Sequence, residues 1–215
     1  MIDAYTDKQI KVLLVDDHAV VREGYRRLLE KDRRLTVVGE AANSAEALSR
    51  DRELAPEVIV LDIALPGVSG IETLRRIIAR RPAARILVFS MYQDAIYASR
   101  AFKAGALGYV SKSSAPDLLV EAVRAVAEGR HYVSPDVNQA MSSYSSRKTG
   151  LTERLSSREH EVLRLLTRGH GVDDIGEQLG ISAKTVANLQ SSIKQKLGAT
   201  TALQLVVIAR QAGFT

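Results

Sequence analysis

Apolar residues in the first 127 positions fall into two alternating kinds of run. Short, nearly unbroken ones read IKVLLV (10–15), TVVGE (36–40), VIVL (58–61), ILVFS (86–90) and GYV (108–110). Between them lie longer stretches with apolar positions at helical spacing, near 19–31, 44–53, 69–81, 94–104 and 115–127. Unbroken apolar runs suit strands covered on both faces; a half-exposed strand would alternate. Five strand–helix repeats of this length predict an α/β domain, a doubly wound parallel sheet of five strands with helices on both faces. Ligands of such sheets bind outside the carboxyl ends of the strands.

The pattern stops after position 127. Residues 128–150, EGRHYVSPDVNQAMSSYSSRKTG, hold Gly, Pro and a Ser cluster with little periodicity and read as a linker, although PDVNQAM could form a short helix. From 151 to 215 only helical signals follow, about four helices, with Gly169, Gly180, Gly198 and Gly213 each just past an apolar stripe, where helices end. The organisation predicted is an α/β domain over 1–127, a linker over 128–150 and a small all-α domain over 151–215.

Composition narrows the function less than the pattern does. The chain has no Cys, which excludes disulfides and thiolate metal sites. Its start, MIDAYTDKQIK, is polar, and no apolar run nears the roughly 18 residues of a membrane span, so a cytoplasmic protein without a membrane partner is expected. The net charge of +5 hints at a polyanion partner. Residues 151–215, however, carry eight basic against six acidic side chains, no strong basic footprint.

The strand ends carry the chemistry. Strand 1 runs into Asp16 and Asp17, strand 3 into Asp62, strand 4 ends on Ser90, and Lys112 lies just past strand 5. With strands 1 and 3 adjacent, three carboxylates meet at one rim, where a hard divalent cation such as Mg2+ would relieve their repulsion. A carboxylate beside such an ion and an ammonium group is set up to accept a phosphoryl group, with Asp62 as nucleophile. Any one of these acids alone is more simply a turn former or helix cap; their ordered conjunction makes the case. His18, beside the pair, reads as a surface residue opening a helix.

On VDDH (15–18), LDIALPG (61–67), FS (89–90) and GYVSK (108–112), the first half resembles the receiver domain of bacterial two-component response regulators, of flavodoxin-like fold. With LSSREHEVLRLL and TVANLQSSIKQKL added, the chain resembles the NarL/FixJ subfamily over nearly its whole length. The resemblance implies that Asp62 is phosphorylated by a histidine kinase, that Asp16, Asp17 and Asp62 hold Mg2+, that Lys112 pairs with the phosphoryl group, and that Ser90 and Tyr109 form the switch. Phosphatases of the haloacid-dehalogenase type also use a strand-end Asp, but need a second acid two residues on; here that position is Ala64. Slow autodephosphorylation, and no further enzyme activity, is therefore expected. Tyr92, two residues past Ser90, is expected to crowd the attacking water.

In the second half Val186, Leu189, Ile193 and Leu197 form one helical stripe, Ser182 suits an N-cap, and a short helix precedes across Gly180. This is the pattern of a helix-turn-helix, and the resemblance to LuxR-type output domains implies DNA binding by its second helix. Lys184, Thr185, Asn188, Ser191, Lys194 and Lys196 are the candidate contacts. The chain departs from the family's usual S-N-K-E-I-A and T-V-K-x-H at Val172, Asp173, Ala187 and Leu189. An acid replaces a basic residue and an outward Lys is lost, so weak or altered promoter binding is expected. The reading is a transcription regulator that dimerises when phosphorylated. The alternative is a phospho-switch whose helical domain binds a protein instead.

Overall fold

The computed structural model describes residues 9–145 and 154–211. It divides into two compact units, Met1–Tyr144 and Ser145–Thr215. The first alternates β1 (Ile10–Val15), α1 (Ala19–Glu30), β2 (Leu35–Ala41), α2 (Ser44–Leu54), β3 (Val58–Leu61), α3 (Gly70–Arg80), β4 (Arg85–Ser90), α4 (Ala95–Lys103), β5 (Gly108–Ser111) and α5 (Pro116–Ala127). Two further elements follow, β6 (Tyr132–Val133) and α6 (Pro135–Ser145). All strands run parallel in the order β2-β1-β3-β4-β5-β6.

The unbroken apolar runs have the expected cause. Alternate residues of one strand serve opposite faces: Leu13, Ile59, Ile86 and Val88 join one core cluster, Val12, Val58, Val60 and Leu87 the other. Helix starts are set locally. Asn43 accepts the Glu46 amide (3.0 Å) to open α2, Ser69 accepts the Glu72 amide to open α3, and Pro116 sits in the first turn of α5.

The sheet has six strands where five were expected, and the first unit extends past 127 to 144. Tyr132 and Val133 pair with Gly108 and Tyr109 of β5, and Val137 of α6 is fully buried in the first core cluster. The stretch read as linker thus folds back onto the sheet. A two-residue strand gives no alternation to detect, and one buried valine, Val137, with a partly buried Met141 gives too short a stripe to read. Residues 146–150 of the expected linker, and Gly213, lie outside the described residues.

The second unit contains α7 (Ser157–Thr167), α8 (Val172–Leu179), α9 (Ala183–Leu197) and α10 (Ala202–Gln211), the four helices expected. Gly169, Gly180 and Gly198 close α7, α8 and α9 with φ of +88°, +61° and +70°, a region open to glycine at little cost. Ser156 opens α7 with a capping box in which Glu159 takes the Ser156 amide (2.6 Å). Val186 and Ile193 are buried, with Leu189 and Leu197 partly so. Among the described residues no helix is long and apolar enough to cross a membrane.

Candidate phosphoacceptor site and helix-turn-helix

Parallel register gathers the acids. Val15 faces Leu61 across β1 and β3, and the Asp62 amide donates to the Val15 carbonyl (2.8 Å), so the residues just beyond both strands lie side by side. Ser90 pairs with Ser111, and the Lys112 amide donates to the Ser90 carbonyl (2.8 Å), which brings Lys112 to the same edge. Its Nζ reaches Asp16 Oδ2 at 2.5 Å and also bonds Asp62 Oδ2. The other oxygen of Asp62 accepts the Ala64 amide (2.9 Å), and that of Asp16 accepts the His18 amide (2.8 Å).

Both carboxylates and the ammonium group are nearly withdrawn from solvent: Asp16 is 5% exposed, Asp62 3%, and the Lys112 side chain 7%. Burial raises the Asp62 pKa, and the neighbouring Lys112 only partly offsets it. For Lys112 burial works against the charged form, but Asp62 and Asp16 outweigh it and hold its pKa above the ordinary lysine value.

Asp17 is more open and turns aside, its Oδ1 2.8 Å from His18 Nδ1. Ligand atoms of Asp16, Asp17 and His18 lie within 4.8 Å of one another, while Asp62 joins Asp16 through Lys112. The expected set Asp16, Asp17 and Asp62 is therefore gathered at one edge, in two linked pairs. The carboxylate oxygens form an acidic pocket suited to a hard cation.

Ser90 and Tyr109 are both fully buried and meet at one residue. The Ser90 hydroxyl accepts the Tyr92 amide (3.3 Å), and the Tyr109 hydroxyl donates to the Tyr92 carbonyl (2.7 Å). Burial, reinforced by the Asp62 charge, pushes the Tyr109 pKa well up, so the phenol stays a donor. Tyr92 lies beside this pair. Its ring stacks on Tyr97 with centroids 4.5 Å apart, inside the first core cluster.

Two features of this site escaped the sequence reading. One is the Ala64 amide, a main-chain donor with no signature. The other is Gly70: a Cβ there would lie 2.2 Å from the Asp62 carbonyl oxygen and 2.4 Å from Ile63 Cα, so α3 starts against the Asp62 backbone only because residue 70 lacks a side chain. The Gly in GVSG was the available signal.

In the second unit α8, the turn at Gly180 and α9 form the helix-turn-helix. A Cβ at Gly176 would come within 2.8 Å of the Ile181 carbonyl, so the turn closes on a glycine. Ser182 caps α9 by accepting the Thr185 amide (3.1 Å). Lys184, Thr185, Asn188 and Ser191 are exposed and Lys194 is half-buried. The Ser191 hydroxyl donates back to the Ala187 carbonyl (3.0 Å). Lys196 is the exception among the expected DNA contacts. Its Nζ bonds both oxygens of the buried Glu159 (2.8 and 2.7 Å), which also accepts the Ser192 hydroxyl (2.6 Å), so Lys196 fastens α9 to α7. Asp173 is exposed; the α8 cap is made by Gly171 and Asp174 (3.1 Å).

Residues 12–124 match the response regulator receiver domain, and 153–209 match the luxR family of bacterial regulatory proteins. Response regulator UvrY of Escherichia coli (strain K12) is 35% identical over 208 residues, covering 95% of both chains. The chain belongs to the response regulators. The receiver is its first unit and the LuxR-type helix-turn-helix domain its second. Among solved structures, a LuxR-family two-component response regulator from Aurantimonas sp. SI85-9A1 is 47% identical, with a TM-score of 0.63, over 64% of this response regulator and 99% of that chain. RcsB from Salmonella enterica serovar Typhimurium, bound to promoter rprA in the presence of phosphomimetic BeF3-, is 29% identical with a TM-score of 0.65, covering 93% and 98%.

Proposed function

We propose that this response regulator takes a phosphoryl group from a sensor histidine kinase onto Asp62 and, as a phosphorylated homodimer in the cytoplasm, controls transcription through α9. The observation that carries the reading is the single Lys112 ammonium bonded to both Asp16 and Asp62 at the sheet edge. An Asp62 carboxylate oxygen attacks the phosphorus of a phosphohistidine; the P–N bond breaks, and its electron pair stays on the imidazole nitrogen, which is then protonated. Asp16 and Asp17 would hold Mg2+, which supplies positive charge against the phosphoryl oxygens. Lys112 exchanges its bond to Asp62 for one to a phosphoryl oxygen. The Ser90 hydroxyl turns to another, releasing the Tyr92 amide and loosening the contact of Tyr92 with Tyr109. No acid stands at position 64 to protonate a leaving group, so turnover is slow and self-directed.

Acetyl phosphate labelling followed by mass mapping tests the receiver. A label on Asp62, absent from Asp62→Ala, supports the reading; a label elsewhere ends it. For the output domain, Lys184, Asn188 and Lys194 are offered to DNA, in line with the promoter complex of RcsB. Exposed Asp173 and Ala187 weaken that surface. A gel shift over a salt series, with and without beryllofluoride, should show weak binding that the phosphate mimic strengthens. Absence of any shift, with a protein captured instead, would favour the protein-binding alternative.

A further inference from the structure

Arg22, in the first turns of α1, is a nearly buried charge that the phosphoryl chemistry does not use; its side chain is 14% exposed. Its Nη1 donates to the Asp16 carbonyl oxygen at 2.5 Å and its Nε to Glu40 Oε2 at 3.0 Å. Glu40, near the end of β2, takes Arg26 Nε on its other oxygen (2.7 Å), and Arg26 Nη1 returns to the Val37 carbonyl (3.0 Å). A continuous series of charge-assisted bonds therefore runs from Asp16 to the backbone of β2.

The place of the first bond matters. β1 ends at Val15, so the Asp16 carbonyl has no strand partner of its own. The Asp16 amide is held by the Ala41 carbonyl (3.0 Å), and Arg22 holds the oxygen. With both polar groups of its backbone tied, Asp16 has little freedom in the dihedrals that aim its carboxylate and carry the chain into Asp17. Arg22 also borders the small cavity lined by Tyr25, Asp16 and Asp62, so it lies directly behind the acids.

We infer that Arg22, held by Glu40, is a positioning residue for divalent-cation binding: it fixes the main chain at Asp16 so that Asp16 and Asp17 present their carboxylates to one ion. The inference rests on the reading of the acidic pocket as a cation site. The effect is geometric, because the bond goes to a main-chain oxygen and the guanidinium serves two acceptors at once. A lysine keeps the charge but has no planar fork for both.

The test uses the full chain and Mn2+ as a stand-in for Mg2+. Free Mn2+ is followed by electron paramagnetic resonance, with thermal melts of the metal-free protein and acetyl phosphate labelling beside it. Arg22→Ala and Arg22→Lys should weaken Mn2+ binding by about tenfold, in the range seen when groups behind metal ligands are removed. Glu40→Gln should shift it in the same direction by less. Because all three act through one series of bonds, Arg22→Lys combined with Glu40→Gln should bind no worse than Arg22→Lys alone. If Arg22→Ala does not fold, Arg22→Lys and Glu40→Gln decide. Folded variants that bind Mn2+ like the parent, losing only melting temperature, overturn the inference. A parent chain that binds no Mn2+ overturns it too, and labelling of Asp62 then shows separately whether the phosphoacceptor reading stands.

Discussion

Lys112 and Asp62 touch, yet removing them should have opposite effects. Lys112→Met leaves Asp16 and Asp62 buried with no cation between them, and unpaired buried charge costs about 3 kcal/mol or more. Asp62→Asn removes the carboxylate whose charged form burial disfavours and leaves Lys112 a one-to-one partner in Asp16. Thermal melts at neutral pH should show Lys112→Met well below the parent chain and Asp62→Asn at or above it; the reverse order would mean that Lys112 does not hold the acids in place. At this scale the sequence was readable wherever a residue's role follows from its place at a strand end, as for Asp16, Asp62, Ser90 and Lys112. It was not readable for Gly70 and Arg22, which meet backbone atoms of Asp62 and Asp16, nor for the Ala64 amide, a main-chain donor to the Asp62 carboxylate that no side chain announces.

Strands and helices of the receiver were legible to within a residue or two, since burial on both faces writes unbroken apolar runs. β6 and the helix-to-helix tie in the second unit were not. Lys196 stands next to the Val186–Ile193 stripe, and only the packing of α7 against α9 shows that a buried acid waits for it. Two expectations belong to this tie. Losing Lys184 should lower the salt slope of DNA binding by about one, whereas Lys196→Ala should leave the slope nearly unchanged and lower the melting temperature of the output domain. Equal slopes for the two variants would put Lys196 back on the DNA. Burial works against the Glu159 charge, but the bonds from Lys196, Ser192 and Ser156 outweigh it and hold its pKa at about 2 against an ordinary 4.5. The folded value is depressed, so the stabilisation is complete above 4.5 and lost as pH falls toward 2. With Lys196 partly in solvent, about 2 kcal/mol is expected. Melts at descending pH should show Glu159→Gln converging on the parent in that window; a constant gap would rule the charge out.

The receiver and the helix-turn-helix domain each have a core of their own, and the break between them was visible as a change from alternating strands and helices to helices alone. Its position was not, because the segment after α5 adds only Val137 and the partly buried Val133 and Met141 to the first core. For the whole chain, phosphorylation is expected to change the assembly. Sedimentation velocity should move from monomer toward dimer on adding beryllofluoride and Mg2+, and Asp62→Ala should not respond. A parent chain with the same sedimentation in both conditions would remove dimerisation from the mechanism.

Tyr109 is bonded at two ends. Its hydroxyl holds the Tyr92 carbonyl, and its own carbonyl oxygen accepts the Ser134 amide at the threshold of α6 (3.0 Å). A rearrangement around Ser90 therefore cannot stay private to the pocket: whatever shifts β5 also loosens the first peptide of the following helix. Exchange of the Ser134 amide with deuterium becomes a built-in gauge of receiver state, slow at rest and faster once Asp62 is loaded. An exchange rate indifferent to beryllofluoride would show the two ends of Tyr109 to be uncoupled.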